Sequence, residues 1–147
     1  MRRLSQVTVA ASLAVVVSAV AAACGGSNSN SSITSPSGTL TNDTFNGTVQ
    51  PGATNVHTFT VTTPGPVSVT MTSAGPPATI TMGLGIGNPD GSGNCIFLQG
   101  GTTQAVASTT TPQLSGNLTA SGAYCVAVGD IGNAAGPINY TIVVSHT

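Results

Sequence analysis

Three cysteines, two histidines and three aspartates are the residues of this chain whose side chains could react or hold a metal. His57 is the one histidine inside an alternating stretch. With Asp43, Asp90 or Asp130 and a serine it has the residue types of a hydrolytic triad, in which an imidazole takes the hydroxyl proton and a carboxylate orients the ring. The surrounding sequence argues against that chemistry: no Gly-x-Ser-x-Gly elbow occurs, no Lys or Arg follows Arg3 to hold an oxyanion, and His57 is in phase with Phe59 as a core-edge residue. His146, next to the C-terminus, is expected to be solvated, and two isolated histidines without a third ligand do not make a zinc site. Asn88, Asp90, Ser92 and Asn94 place oxygens at alternate positions, with Gly93 at the bend, as a calcium loop does. Only Asp90 is a carboxylate, Gln99 stands where a closing Glu belongs, and Pro89-Asp90-Gly91 is a sufficient turn signal by itself. No cofactor is expected, with calcium on this loop the weaker alternative. For sugar recognition the chain lacks Trp, and Tyr124 and Tyr140 read as core, which leaves Phe97 as the outward-phase aromatic.

The cysteines divide into one and two. Arg2 and Arg3 precede an uncharged run from Val7 to Ala23, the layout of an export signal. That run lies near the lower limit of about 17–25 residues for a spanning helix. Its Ala and Ser content, and the absence of positive charge after it, argue against a retained span. Ala21-x-Ala23 fits ordinary signal peptidase, but Ala21-Ala22-Ala23-Cys24 followed by Gly25-Gly26-Ser27 resembles the lipobox of bacterial lipoproteins, with Ala21 where Leu is commonest. The resemblance implies a diacylglyceryl group on Cys24, which becomes the new N-terminus, and a lipid anchor in the bacterial cell membrane. In a Gram-negative host it implies the outer membrane, since Gly25 and not Asp follows the cysteine. Cys95 and Cys125 then form an even pair, and both sit out of phase with the inward residues of their strands. Matching phase in an oxidising compartment predicts a Cys95–Cys125 disulfide on the outer face, structural and not redox-active, because no C-x-x-C or neighbouring cation lowers a thiol pKa.

Removal of residues 1–23 takes both arginines and leaves Asp43, Asp90 and Asp130 as the charged side chains. A surface without cations cannot neutralise phosphates, which makes nucleic acid and anionic head groups poor partners and leaves nucleic-acid binding close to excluded. Residues 24–39 are Ser-, Asn- and Gly-rich with a single large apolar residue, Ile33, and read as a flexible tether. About 14 such residues span roughly 20 Å between lipid and domain.

Positioning of these residues falls to strands, because period-two alternation recurs from Phe45 onward and helical spacing does not. The pattern predicts strands at Phe45–Gln50, around His57–Val61, Val67–Met71, Ile80–Ile86, Cys95–Leu98, Thr103–Ser108, Leu114–Thr119, Tyr124–Val128 and Ile138–Val144. Turns fall at Pro51-Gly52, Pro64-Gly65-Pro66, Gly75-Pro76-Pro77 and Asn88–Gly93. His57, Phe59, Val61, Val67, Val69, Met71, Ile96, Leu98, Tyr124, Val126, Val128, Ile138, Tyr140, Ile142 and Val144 are expected to face inward. Eight or nine short strands over residues 40–147 predict an all-β antiparallel sandwich whose outer faces carry Thr in place of charge. Threonine favours strand but does not repel a neighbouring edge as Lys does.

Ser121-Gly122-Ala123-Tyr124-Cys125-Val126-Ala127-Val128-Gly129-Asp130, then Gly136-Pro137-Ile138-Asn139-Tyr140-Thr141-Ile142-Val143-Val144, resembles the closing strands of bacterial pre-peptidase C-terminal (PPC) domains. Gly47-Thr48-Val49 and His57-Thr58-Phe59-Thr60-Val61 stand where that family has its opening turn and strand. The resemblance, over about residues 43 to 145, implies a jelly-roll-like sandwich that accompanies secreted enzymes or stands alone and is not itself catalytic. The family's frequent Asp-x-Asp segment after the third strand has no counterpart, which weakens an inherited calcium or substrate role. The expectation is therefore a lipid-anchored, non-catalytic binding module of the cell envelope, whose partner is an envelope glycan or a protein. The alternative is a structural protein that self-assembles through uncharged strand edges, and a small secreted hydrolase is a distant third. Nothing in the pattern sets an oligomeric state.

Overall fold

Runs in which Val, Phe, Met and Ile alternate with Thr and Ser have one apolar and one wettable side when extended, so two such sheets close on each other. The computed structural model describes residues 38–147, and the readings of the export signal, Cys24 and most of the tether lie outside the described residues. Eight strands follow: β1 (Thr41–Val49), β2 (Thr54–Val61), β3 (Gly65–Gly75), β4 (Met82–Pro89), β5 (Cys95–Ala105), β6 (Leu114–Leu118), β7 (Gly122–Asp130) and β8 (Ile138–His146). All pairings are antiparallel. One sheet has the order β1-β8-β3-β6 and the other β2-β7-β4-β5. Eight strands shared between two sheets in this interleaved order make a jelly roll.

The core is the set of inward residues of both sheets. Met71, Met82, Ile138, Ile142 and six valines including Val69, Val126 and Val144 are the fully buried large apolar side chains, and Phe59, Tyr124 and Tyr140 close the layer. Burial of each contributes about 1.5–3 kcal/mol. A bulge between Met71 and Ser73 shifts the β3–β8 register by one residue and brings Ala74 into the inward phase.

Several sequence expectations are corrected. The first strand begins at Thr41, before Phe45, because Asp43 and Phe45 continue the inward phase of Gly47 and Val49. β4 runs on through Asn88 and Pro89, which pair with Ile96 and Cys95, so the turn is confined to residues 90–94. The expected strands at Cys95–Leu98 and Thr103–Ser108 are one strand, β5, which ends at Ala105. Its register against β4 slips between Gly85 and Gly87, where Leu98, Gln99, Gly100 and Gly101 bulge opposite Ile86. Ile96 keeps the inward phase, paired with Asn88, but is 63% exposed, because that pair lies past Ile86 near the end of β4, where Asn88 is exposed too.

The two ends of the sandwich differ. The chain enters at Gly38, against Thr147, whose carbonyl accepts from Thr62 N (3.2 Å) and whose hydroxyl donates to the carbonyl of Thr63 (2.7 Å). At the opposite end Thr54 pairs with Gly129, beside Gly83 and the loop that follows Asp130.

Candidate functional site

Most sheet faces of this protein carry Thr, Ser or Asn toward solvent, but the outer face of β2-β7-β4-β5 is built differently at its centre. On β4 the outward positions are Gly83, Gly85 and Gly87, alternating with buried Met82, Leu84 and Ile86; on β7 they include Cys125, Ala127 and Gly129. Small residues side by side leave a hollow, since no side chains rise from the sheet. A groove of about 340 Å³ occupies this end of the face, with Ile131 and Phe97 as its apolar walls and Thr54, Thr102 and Gln104 on its rim. A second hollow, about 490 Å³, lies on the other side of Phe97 and shares Thr54, Phe97 and Ala127 with the first. Both volumes fall in the range of about 300–1,000 Å³ usual for ligand sites.

Phe97 stands between the hollows, 48% exposed. Its ring rests on Gly85, where a Cβ atom would lie 2.3 Å from Cε1. The β5 backbone crosses just as closely over Gly87, where a Cβ would meet the Ile96 carbonyl oxygen at 2.1 Å. Only glycine admits these approaches. Because β5 leans over β4 at this point, Cys95 comes within 5.8 Å, Cα to Cα, of Cys125 on β7, and the two are bonded. Cys125 keeps the outward phase predicted for it. It is nevertheless wholly buried, since Cys95 and the arched start of β5 cover it. The disulfide thus clips the start of β5 across the sheet two residues before Phe97.

Two aspartates shape the loops beside these hollows. Asp130 Oδ2 accepts from Gly52 N (2.8 Å), and Oδ1 accepts from Gly132, Asn133 and Ala134 N at 3.0–3.1 Å. These backbone donors, Gly52 foremost, hold its carboxyl below the usual carboxylate range. Asp90 is held below it in the same way, first by Asn94 Nδ2 (2.7 Å), then by the backbone N–H groups of Ser92 (2.7 Å) and Asn94 (3.0 Å). Within the calcium-like set, then, Asn88 lies in strand β4, Asn94 turns an amide donor toward Asp90, and the carboxylate serves as a loop cap. Among the described residues no three His, Cys, Asp or Glu side chains cluster in a metal-binding arrangement.

The histidines lie toward the margin where β1 and β2 face each other, and His57 also lines the second hollow. His57 stacks on Phe45 with ring centroids 4.7 Å apart, and its Nε2 is 2.6 Å from Tyr140 Oη, which accepts from Asn55 Nδ2 at 3.1 Å. Partial burial lowers the His57 pKa, and the same burial raises that of Tyr140 against the opposing effect of Asn55. His146, expected to be solvated, is 3% exposed: its Nε2 lies 3.0 Å from Asp43 Oδ2 and its ring packs 5.0 Å from that of Phe59. The correction has a plain cause. β8 continues its inward phase through His146, and the inward Asp43 of β1 meets it. Asp43 and His57 thus have different partners, and no serine bonds to either imidazole among the described residues.

Of the residues singled out in the sequence, Phe97, Cys95, Asn94, His57 and Asp130 come together around the two hollows, whereas His146 lines neither. Gly83, Gly85, Gly129 and Ile131 were not anticipated. The signal for them was the run Met82-Gly83-Leu84-Gly85-Ile86-Gly87, in which glycine replaces Thr in the outward phase. Compared with known proteins, the chain matches no family model and no curated protein.

Proposed function

We propose that this protein is a non-catalytic binding module of the bacterial cell envelope, exported, held to the membrane by a lipid on Cys24 and bound to its partner through the outer face of β2-β7-β4-β5. The observation that carries the reading is the pair of hollows flanking exposed Phe97, on a face whose centre, on β4 and β7, presents Gly and Ala. An accessory role in the manner of pre-peptidase C-terminal domains is consistent with the jelly-roll strand order and the closing-strand motifs. A disulfide-bonded pair of cysteines fits an exported protein. The hollow walled by Ile131 sits at the end of the sandwich opposite Gly38.

Two measurements test the reading. Incorporation of labelled fatty acid into the protein should require Cys24 and vanish in Cys24→Ser. The Cys24→Ser chain, purified with its disulfide intact, should co-sediment saturably with isolated peptidoglycan or envelope polysaccharide; failure to bind either would move the reading to a protein partner. One observation favours self-assembly as a second reading. β1 is a nine-residue edge strand, paired on one side only, and its single charge, Asp43, turns inward to His146. Such an edge lacks the usual protection against strand addition.

A further inference from the structure

We infer that the groove between Phe97 and Ile131 binds an uncharged polysaccharide chain, with a pyranose ring stacked on the open side of Phe97. This rests on the binding-module reading and specifies its ligand. Three features lead to it. First, the ring of Phe97 is a platform with one side seated on Gly85 and the other free, and its position is set by the disulfide two residues away and not by a loop. Aromatic rings offer their faces to C–H groups, and a pyranose presents such groups on one flat side. Second, the floor is flat at the places a ring would occupy: Gly83, Ala127 and Gly129 project nothing or a single methyl.

Third, the electrostatics select against charge. The lining holds no cation, and its one anion, Asp130, has both carboxylate oxygens engaged by backbone N–H groups from Gly52 and the loop after it. An anionic ligand meets no counter-charge and a cationic one meets only a carboxylate already capped, whereas hydroxyl groups find Thr54, Thr102 and Gln104 on the rim. Two hollows flank a single ring, so an extended chain fits better than an isolated sugar: residues on either side of the stacked one would each enter a hollow. A peptide strand is disfavoured here because the hollows lie over the middle of the sheet, where backbone hydrogen bonds are already made within β7-β4-β5.

Cello-oligosaccharides and N-acetylglucosamine oligomers of six units, added to the Cys24→Ser chain, are the probes, read by amide chemical shifts and by affinity. The expected result is that shifts concentrate at Gly83, Gly85, Ala127 and Gly129. Phe97→Ala should weaken binding about tenfold or more and Phe97→Tyr should retain it. Gly83→Ala, whose new methyl would enter the floor 3.2 Å from Ile131 Cγ2, should weaken binding without loss of fold. Thr70→Ala, on the other sheet, should change nothing. Unchanged affinity in both Phe97→Ala and Gly83→Ala would overturn the assignment of this groove. Envelope co-sedimentation without affinity for either neutral oligomer would overturn the ligand class and leave the module reading intact; absence of both would overturn the ligand class and move the module reading to a protein partner.

Discussion

His57 has one side-chain hydrogen-bond partner, Tyr140, which is bonded in turn to Asn55. Asn55 Nδ2 donates to Tyr140 Oη, which leaves the phenolic hydrogen available to a neutral His57 Nε2. Desolvation acts the same way, holding the folded pKa below the ordinary 6.5. Because the unfolded chain binds the proton more readily, this contribution to stability is complete above about pH 6.5 and is lost as pH falls through the folded value. Urea midpoints taken from pH 7.5 down to 5 should therefore fall in the wild type and flatten over that range in His57→Gln. A wild-type midpoint constant across that range would contradict the assignment. Asp90 and Asp130 give a second, lower step of the same sign: their carboxyls titrate below the ordinary 3.8, so their stabilisation persists down to about that pH and is lost below it. Asp130→Asn should lower the melting temperature and speed amide exchange at Gly132–Ala134, which lose a charged acceptor.

At the scale of elements, β5 is the strand that makes the site. Its bulge at Leu98–Gly101 lets one half pair beside β4 while the other half leans across it, and glycine at 85 and 87 is what allows the lean. Gly87→Ala would set a methyl against the Ile96 carbonyl, a backbone atom that cannot move without the strand, and should cost about 1–3 kcal/mol or more. Gly116→Ala on β6, where a Cβ meets open space, should stay within about 0.5 kcal/mol, and urea denaturation of the two variants side by side checks the contrast. Cys95→Ser with Cys125→Ser removes a closure between residues 30 apart in sequence, worth about 3–4 kcal/mol in the chain-entropy model. The same double variant should release Phe97 from its seat on Gly85, so ligand affinity should fall together with stability. Unaltered binding in the reduced variant would show that the arch does not depend on the bond.

For the molecule as a whole, the near-absence of charge dominates solution behaviour. Three aspartates and no lysine or glutamate over residues 38–147 give little mutual repulsion, and two of those aspartates are capped while the third meets His146. Stability should consequently be almost independent of ionic strength between about 0.05 and 1 M salt, because the ion pairs that screening weakens are nearly lacking. The same property leaves the nine-residue β1 edge unprotected. Sedimentation velocity over a range of concentrations checks which side of that balance holds: a single monomeric species favours the binding module, and concentration-dependent growth favours assembly through the edge.

The sequence by itself determined the class of fold and most of the core. Period-two alternation needs no tertiary information to say which side of a strand is apolar, so Val67, Val69, Met71, Tyr124, Val126, Val128, Ile138, Tyr140, Ile142 and Val144 were legible as inward residues. Matching phase likewise made Cys95 and Cys125 legible as a pair, and outward phase marked Phe97. What only the tertiary structure decided is where neighbouring strands deviate from ideal pairing. The bulge in β5 is invisible to a period count. It joined two expected strands into one and carried the start of β5 over Cys125, which is buried on an outer face. The partnership of Asp43 with His146 joins residues 103 apart in sequence, and the groove joins glycines of β4 and β7 to a ring from β5. Alternation within a strand states which side a residue faces; which residues share that side is set by strand order and register, and these come only from packing the two sheets together.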